Sequence, residues 1–168
     1  MAAVLDYLQG RGVTFQVIPH AAASSAEDAA TIIGVDPAEM ANTVAMIEGL
    51  DVSLAVIPAS DRLDPGAIAT AIGERARPAD EDEIRHAFPD VEPGALPPLG
   101  LLLHVPMYVD PALIERETIV FPAGRNTQAI RIRTDDLFRG DPIVVTPLTR
   151  RQPDQVLTVE ETAEIREQ

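Results

Sequence analysis

Asn42-Thr43-Val44-Ala45-Met46-Ile47 and Val52-Ser53-Leu54-Ala55-Val56-Ile57 are two apolar runs rich in β-branched residues, split by Glu48-Gly49-Leu50-Asp51. A glycine-bearing turn between two such runs predicts a β-hairpin. Outward from it the pattern changes repeatedly. Val4, Leu5 and Leu8 fall on one helical face that Gly10 and Gly12 end, and Thr14 to Ile18 is a strand stopped by Pro19. Ser24 and Ser25 lie three residues before Glu27 and Asp28, the capping-box spacing, opening a helix that ends at Gly34. Pro37 suits the first turn of a further short helix.

Beyond the hairpin the sequence predicts helices over Asp64 to Ile72 and Asp80 to Ala87, then a proline-rich loop from Pro89 to Gly100. Leu101 to Leu103 and Met107 to Val109 read as strand pieces, and Pro111 to Arg116 as a helical turn. Thr118 to Phe121 pairs with Gln128 to Arg133, Thr134 caps a short helix ending near Gly140, and Ile143 to Val145 is a last strand. Short strands mixed with short helices, without internal repeat, predict an α+β fold (α/β mixed): a curved antiparallel or mixed sheet surrounded by short helices. The expected domain spans 1–146, and 147–168 is a polar C-terminal tail without an apolar face, expected to be loosely docked.

A chain of 168 residues fits one domain, and its 46% apolar content with 4% aromatics makes a core of Ala, Val, Ile and Leu. No apolar run reaches the roughly 18 to 20 residues that span a bilayer. The start, MAAVLDYLQG, carries an acid where a signal peptide would carry bases, so a cytoplasmic protein without membrane contact is expected. With no cysteine there is no disulfide, thiolate nucleophile or cysteine-held zinc. All 13 basic residues are arginines, which excludes Schiff-base and lysine-assisted chemistry.

The net charge of -14 argues against a broad cationic surface for nucleic acid. Six arginines against three acids between Val120 and Arg151 leave room for a small, local contact. The three histidines have no metal-ligand spacing, and no phosphate-binding or dinucleotide glycine fingerprint occurs, so the sequence calls for neither metal nor cofactor. His86 belongs to an acidic, surface-like helix, whereas His20 and His104 end strands, where sites often form.

Two loops hold the better candidates. In Gly94-Ala95-Leu96-Pro97-Pro98-Leu99-Gly100 the glycines admit close backbone approach and the prolines fix the pose, so backbone groups there could hold a carbonyl or oxyanion without reorganising. The alternative is a rigid connector. In Ala123-Gly124-Arg125-Asn126-Thr127, followed by Arg131 and Arg133 on one strand face, arginine could grip phosphate. The alternative there is a solvated face paired with Asp135 and Asp136.

These loops, in order with Pro19-His20, the Ser-Ala-Glu-Asp-Ala-Ala helix to Gly34-Val35, Met40 to Val44, Leu54 to Pro58 and Met107 to Asp110, resemble the YbaK and prolyl-tRNA-synthetase-associated editing domain over about Gly12 to Val145. The resemblance implies a compact domain that hydrolyses the ester joining an amino acid to tRNA, with the tRNA acceptor end and a small aminoacyl group as partners. It carries the family's G-x-x-x-P loop onto Gly94 to Pro98, through Ala95, Leu96 and Pro97, with Gly100 just after. His20, Thr43, Gly124, Arg125 and Asn126 become substrate-binding candidates, and Asn42, Gly94 and Pro98 catalytic ones. The family lysine falls on Asn42, between the matching Ala41 and Thr43. Replacing a cation by an amide lowers a charge-assisted contact of about 1.5 to 3 kcal/mol to about 1. The glycine usual after the later arginine falls on Asn126, a residue that tolerates positive φ, and Arg125 is the expected substitute charge. Three activities fit: an editing deacylase without side-chain nucleophile, a non-catalytic aminoacyl or nucleotide-binding module, and a small hydrolase of another ester or amide. The Ala-rich helices and acidic surface fit monomer and dimer alike.

Overall fold

The computed structural model describes residues 2–150. In chain order the elements are α1 (Ala2–Gly10), β1 (Phe15–Pro19), α2 (Ala26–Ile33), β2 (Ala41–Glu48), β3 (Asp51–Pro58), α3 (Pro65–Ala71), β4 (Arg77–Pro78) and α4 (Glu81–Ala87). They continue with α5 (Gly100–Leu103), β5 (Met107–Val109), α6 (Pro111–Ile114), β6 (Thr118–Pro122), β7 (Gln128–Arg133), α7 (Thr134–Phe138) and β8 (Val144–Val145).

The hairpin is where the sequence places it and longer, since β2 and β3 pair antiparallel from Ala41↔Pro58 to Glu48↔Asp51. Only Gly49-Leu50 turns, and Gly49 sits first at φ 61, the position where a two-residue II′ turn needs glycine. Beside the hairpin, β5 joins β3 in parallel and β8 joins β5 in parallel, giving the sheet order β4-β2-β3-β5-β8. A second, antiparallel sheet runs β1-β7-β6. The expected single curved sheet is thus two ladders, which touch through a bridge between Met40 and Val120. The mixed α+β class stands.

Side-chain alternation along β2 decides what each face meets. Ala41 and Ala45 turn, with Leu54 and Val56 of β3, into a core shared by Leu96, Leu99, Phe121 and Ile130. Met46 turns the other way, with Ala55 and Ile57, onto Ile68 of α3 and Leu148. The alanines of α2 form a third cluster against Met40, Ala59, Val120 and Ala129, because only small side chains let a helix lie this close to the joint between the ladders. Ser25 caps α2 by accepting from the Asp28 amide, and Gly34 ends it in the left-handed conformation. Ser24 instead donates to the Asp28 carboxylate, so the capping-box role is divided between the two serines.

Several expectations change. Leu101 to Leu103 is not a strand but the turn α5, because leucine favours helix and a three-residue apolar run carries no period. Pro37 opens a hydrogen-bonded turn rather than a helix. Thr134 does not cap α7: it is the first helical residue, its hydroxyl is buried without a partner, and Arg133 precedes it as an uncapped N-cap. The tail expected from 147 is docked at its start, for Leu148 is fully buried and its amide donates to Asp110 at 2.9 Å. The Asp64 backbone amide in turn donates to the Leu148 carbonyl, and Leu63 bridges Thr149. The rest of that tail, 151–168, lies outside the described residues. No helix among the described residues is long and apolar enough to cross a membrane.

Candidate functional site

Three segments far apart in sequence are tied by backbone. The Gly124 amide donates to the Ala95 carbonyl at 2.9 Å, and the Glu92 amide donates to the Gly124 carbonyl at 2.9 Å, locking the turn after β6 onto the proline-rich loop. The His20 amide donates to the Thr127 carbonyl and the Ala23 amide to the Asn126 carbonyl, each at 2.9 Å, which fastens the entry to α2 onto the same turn. Gly94 closes the ring: at φ 86, a β-carbon on it would come to 3.0 Å of the Ser24 carbonyl oxygen. The two loops read separately from sequence are therefore one backbone surface.

Within the proline-rich loop, Gly94 is exposed while Ala95, Leu96, Pro97, Pro98, Leu99 and Gly100 are all buried. Leu96 and Leu99 anchor it in the main core. What the loop can offer a ligand is backbone at its Gly94 end. There the Ala95 amide is occupied by the Glu92 carbonyl, and the Gly94 and Leu96 amides meet no acceptor among the described residues. Gly100 has a packing role, since a β-carbon on it would come to 2.8 Å of the Val105 carbonyl oxygen.

Asn42 and Thr43 part company. Neighbours on a strand face opposite ways, and Asn42, half-buried, lines a cavity of about 410 Å³ with Ser25, Glu27, Ala59, Asp61 and Arg62. Thr43 lies on the opposite, core face, its hydroxyl buried without a partner. The cavity reaches the backbone ring through adjacent residues, Ser25 lining the one and Ser24 touching Gly94 in the other. A larger cavity of about 530 Å³ lies on the far side of Asp61. It contains none of the catalytic or substrate-binding candidates, and its Asp110 is occupied, accepting from Ala112, Leu148 and Thr149. The smaller cavity is the one tied to both loops.

Arg62 was invisible to the sequence reading and is the one cation among the described residues lining the Asn42 cavity. Its guanidinium donates to the Glu27 carboxylate and to the Asp61 carbonyl, each at 3.1 Å. The signal was in the register: Asn42 pairs with Ile57, so the residues after Pro58 must turn back past the start of β2. Arg125, the expected substitute charge, is exposed at the turn and does not line this cavity. Asn126 needs no positive φ, because Gly124 takes it at 89°. Its side-chain oxygen is buried without a partner.

His20 lies beside the ring. Its Nδ1 is 2.7 Å from the Ala21 carbonyl oxygen, which can only accept, so Nδ1 carries the hydrogen and Nε2 is left buried and unpaired. His86 is exposed on α4, and His104 is exposed at φ 60, ending α5. Arg131 is not a free phosphate grip, because it pairs with Glu39 at 3.4 Å, as Arg116 does at 3.8 Å. Asp136 pairs with Arg139 rather than with the β7 arginines.

Over residues 20–139 the chain matches the model of the aminoacyl-tRNA editing domain. It is 29% identical over 145 residues to the Multifunctional Ser/Thr-tRNA deacylase ProXp-y of Escherichia coli K12, covering 81% of this chain and 84% of that protein. Among solved structures it superposes on a protein proposed as a trans-editing enzyme for prolyl tRNA synthetase, with TM-score 0.77 and 22% identity over 89% of this chain and 96% of that one. It also superposes on a scaffold protein used for epitope backbone grafting, with TM-score 0.77 and 22% identity over 90% and 97% of the two chains. At such identity these structures speak for the fold. The matched segment contains every candidate residue placed above, and the chain belongs to the aminoacyl-tRNA editing domain family.

Proposed function

We propose that this protein hydrolyses the ester of a mischarged aminoacyl-tRNA, acting in trans in the cytoplasm on a tRNA it did not charge. The observation that carries the reading is the backbone ring, in which Ala95, Gly124 and Glu92 are bonded to one another and Gly94 is packed against Ser24, next to a cavity holding Asn42. Hydrolysis of an activated ester needs little more than a held carbonyl, a placed water and stabilisation of the oxyanion that forms.

The fixed amides around Gly94 suit that oxyanion, because they need no rearrangement as charge develops. Water adds to the carbonyl carbon and gives up a proton, the bond from that carbon to the ribose ester oxygen breaks, and the departing ribose oxygen takes up the proton, leaving free amino acid and a ribose hydroxyl. The vicinal ribose hydroxyl can orient the water, so no side-chain nucleophile enters. Asn42 and Ser25 supply neutral hydrogen bonds to ribose or acyl group, with Thr43 supporting the strand from the core side. A pocket of this kind suits a small acyl group, and the E. coli relative is named for seryl- and threonyl-tRNA.

The test is release of amino acid from a panel of mischarged tRNAs, serine and threonine included. Turnover above the buffer rate that falls in Gly94→Ala supports the reading, and no release on any substrate by a folded protein sinks it. The replacement of the family lysine by Asn42 keeps one second reading in play, a binding module without turnover. Ligand binding by a wild type that hydrolyses nothing, with activity appearing in Asn42→Lys, would favour it.

A further inference from the structure

We propose that Arg62 binds the phosphate of the substrate's terminal nucleotide in the Asn42 cavity, leaving its resting ion pair with Glu27 to do so; the assignment rests on the deacylase reading for the identity of the substrate. One ribose separates the ester from the 5′-phosphate of the same nucleotide, so an ester held at the ring around Gly94 leaves that phosphate within reach of the neighbouring cavity wall. Glu27 and Asp61 line that wall and repel phosphate, and Asn42 and Ser25 are neutral. Arg62 is the one described residue of the cavity that attracts it.

The resting geometry allows the exchange. Arg62 and Glu27 meet at 3.1 Å with side chains 72% and 53% exposed, and an ion pair this open is held weakly. The contact to the Asp61 carbonyl, also 3.1 Å, is independent of Glu27 and keeps the guanidinium over the cavity when the carboxylate lets go. A planar guanidinium with several parallel donors binds phosphate through two oxygens at once, which a single carboxylate–arginine contact at a wet surface does not match. Glu27 then acts as a competitor: it parks the cation in place and is displaced by a better anion.

The probes are adenosine 5′-monophosphate and adenosine, titrated by NMR into the full chain at low salt. In the wild type the monophosphate binds about tenfold more tightly than the nucleoside. Arg62→Ala reduces that ratio to about twofold or less, Arg62→Lys keeps only the part due to charge and falls between the two, and Glu27→Gln raises it by freeing the cation. Arg62 is exposed, so Arg62→Ala should fold, and its circular dichroism and melting curve check this. No phosphate preference in the wild type overturns the proposal, as does a preference that survives Arg62→Ala or one that disappears only in Arg125→Ala.

On mischarged tRNA, Arg62→Ala raises KM with kcat retained, and the slope of log KM against log salt falls by about 0.7 to 1. If the protein hydrolyses the tRNA and Arg62→Ala leaves KM and slope unchanged, the Arg62 assignment fails alone. If it hydrolyses none but loses its phosphate preference with Arg62, the deacylase reading fails and the assignment stands.

Discussion

Gly94 rests against the carbonyl oxygen of Ser24, so closely that a β-carbon would approach it to 3.0 Å, and it does so at φ 86. Any other L-residue there meets the clash and roughly 1–2 kcal/mol of left-handed backbone strain together. Gly94→Ala should therefore push the loop away from the start of α2. The expected result is at least a tenfold fall in kcat for deacylation, with the melting temperature lowered by only a few degrees, read by initial rates and thermal denaturation.

Asn42→Lys places an ammonium beside Glu27 and Asp61, in a cavity of about 410 Å³ that can take the longer side chain. A several-fold lower KM for mischarged tRNA is expected, with kcat unchanged or raised. A rise in KM would mean that the new cation is captured by those carboxylates instead of the substrate. Titration of initial rate against tRNA concentration distinguishes the two.

Leu148 is fully buried against Met46, Ala55, Ile57 and Ile68. Leu148→Ala should cost about 2–5 kcal/mol of stability, the range for emptying a packed leucine site, and lower the melting temperature by about 10 °C. The phosphate preference should survive below the transition, since the Asn42 cavity does not include Leu148. Differential scanning calorimetry measures the first effect and the nucleotide titration the second.

Glu83 is the clearest source of pH dependence. The Arg77 guanidinium, bonded to it at 2.7 and 2.8 Å, and the Asp80 amide lower its carboxyl from the ordinary 4.5 to about 2. A carboxyl with a depressed folded value stabilises the fold above its unfolded value and loses that contribution as pH falls through the folded one. Stability carried by this pair should therefore be complete above about pH 4.5 and fade towards pH 2. Glu83→Gln should flatten the melting temperature over that window, with urea denaturation at fixed pH as the check.

What could be read in advance followed local rules. The hairpin, the capping serines of α2, the helices that start at Asp64 and Asp80, and the β6–β7 pair announce themselves through alternation and turn chemistry. Leu101 to Leu103 did not, because three leucines have no period and their turn is fixed by the packing of Gly100 against Val105 and Met107. Both site loops were legible as loops, but their bonding through Ala95 and Gly124 is a contact between distant residues. Arg62 resembled any other surface arginine until the return of the chain after β3 put it over Asn42.

The two-residue turn at Gly49-Leu50 stands at the end of the hairpin remote from Asn42, with Leu50 wholly in solvent, and looks free to vary. It is not. Its length sets the pairing of β2 on β3, and a slip by one residue would carry Asn42 into the core and turn Thr43 outwards to the cavity. An insertion there, of the sort surface loops ordinarily absorb over evolution, would rewrite the cavity wall without touching one of its residues. Descent within this lineage should then tolerate exchange of Leu50 for almost any side chain while holding the turn to two residues.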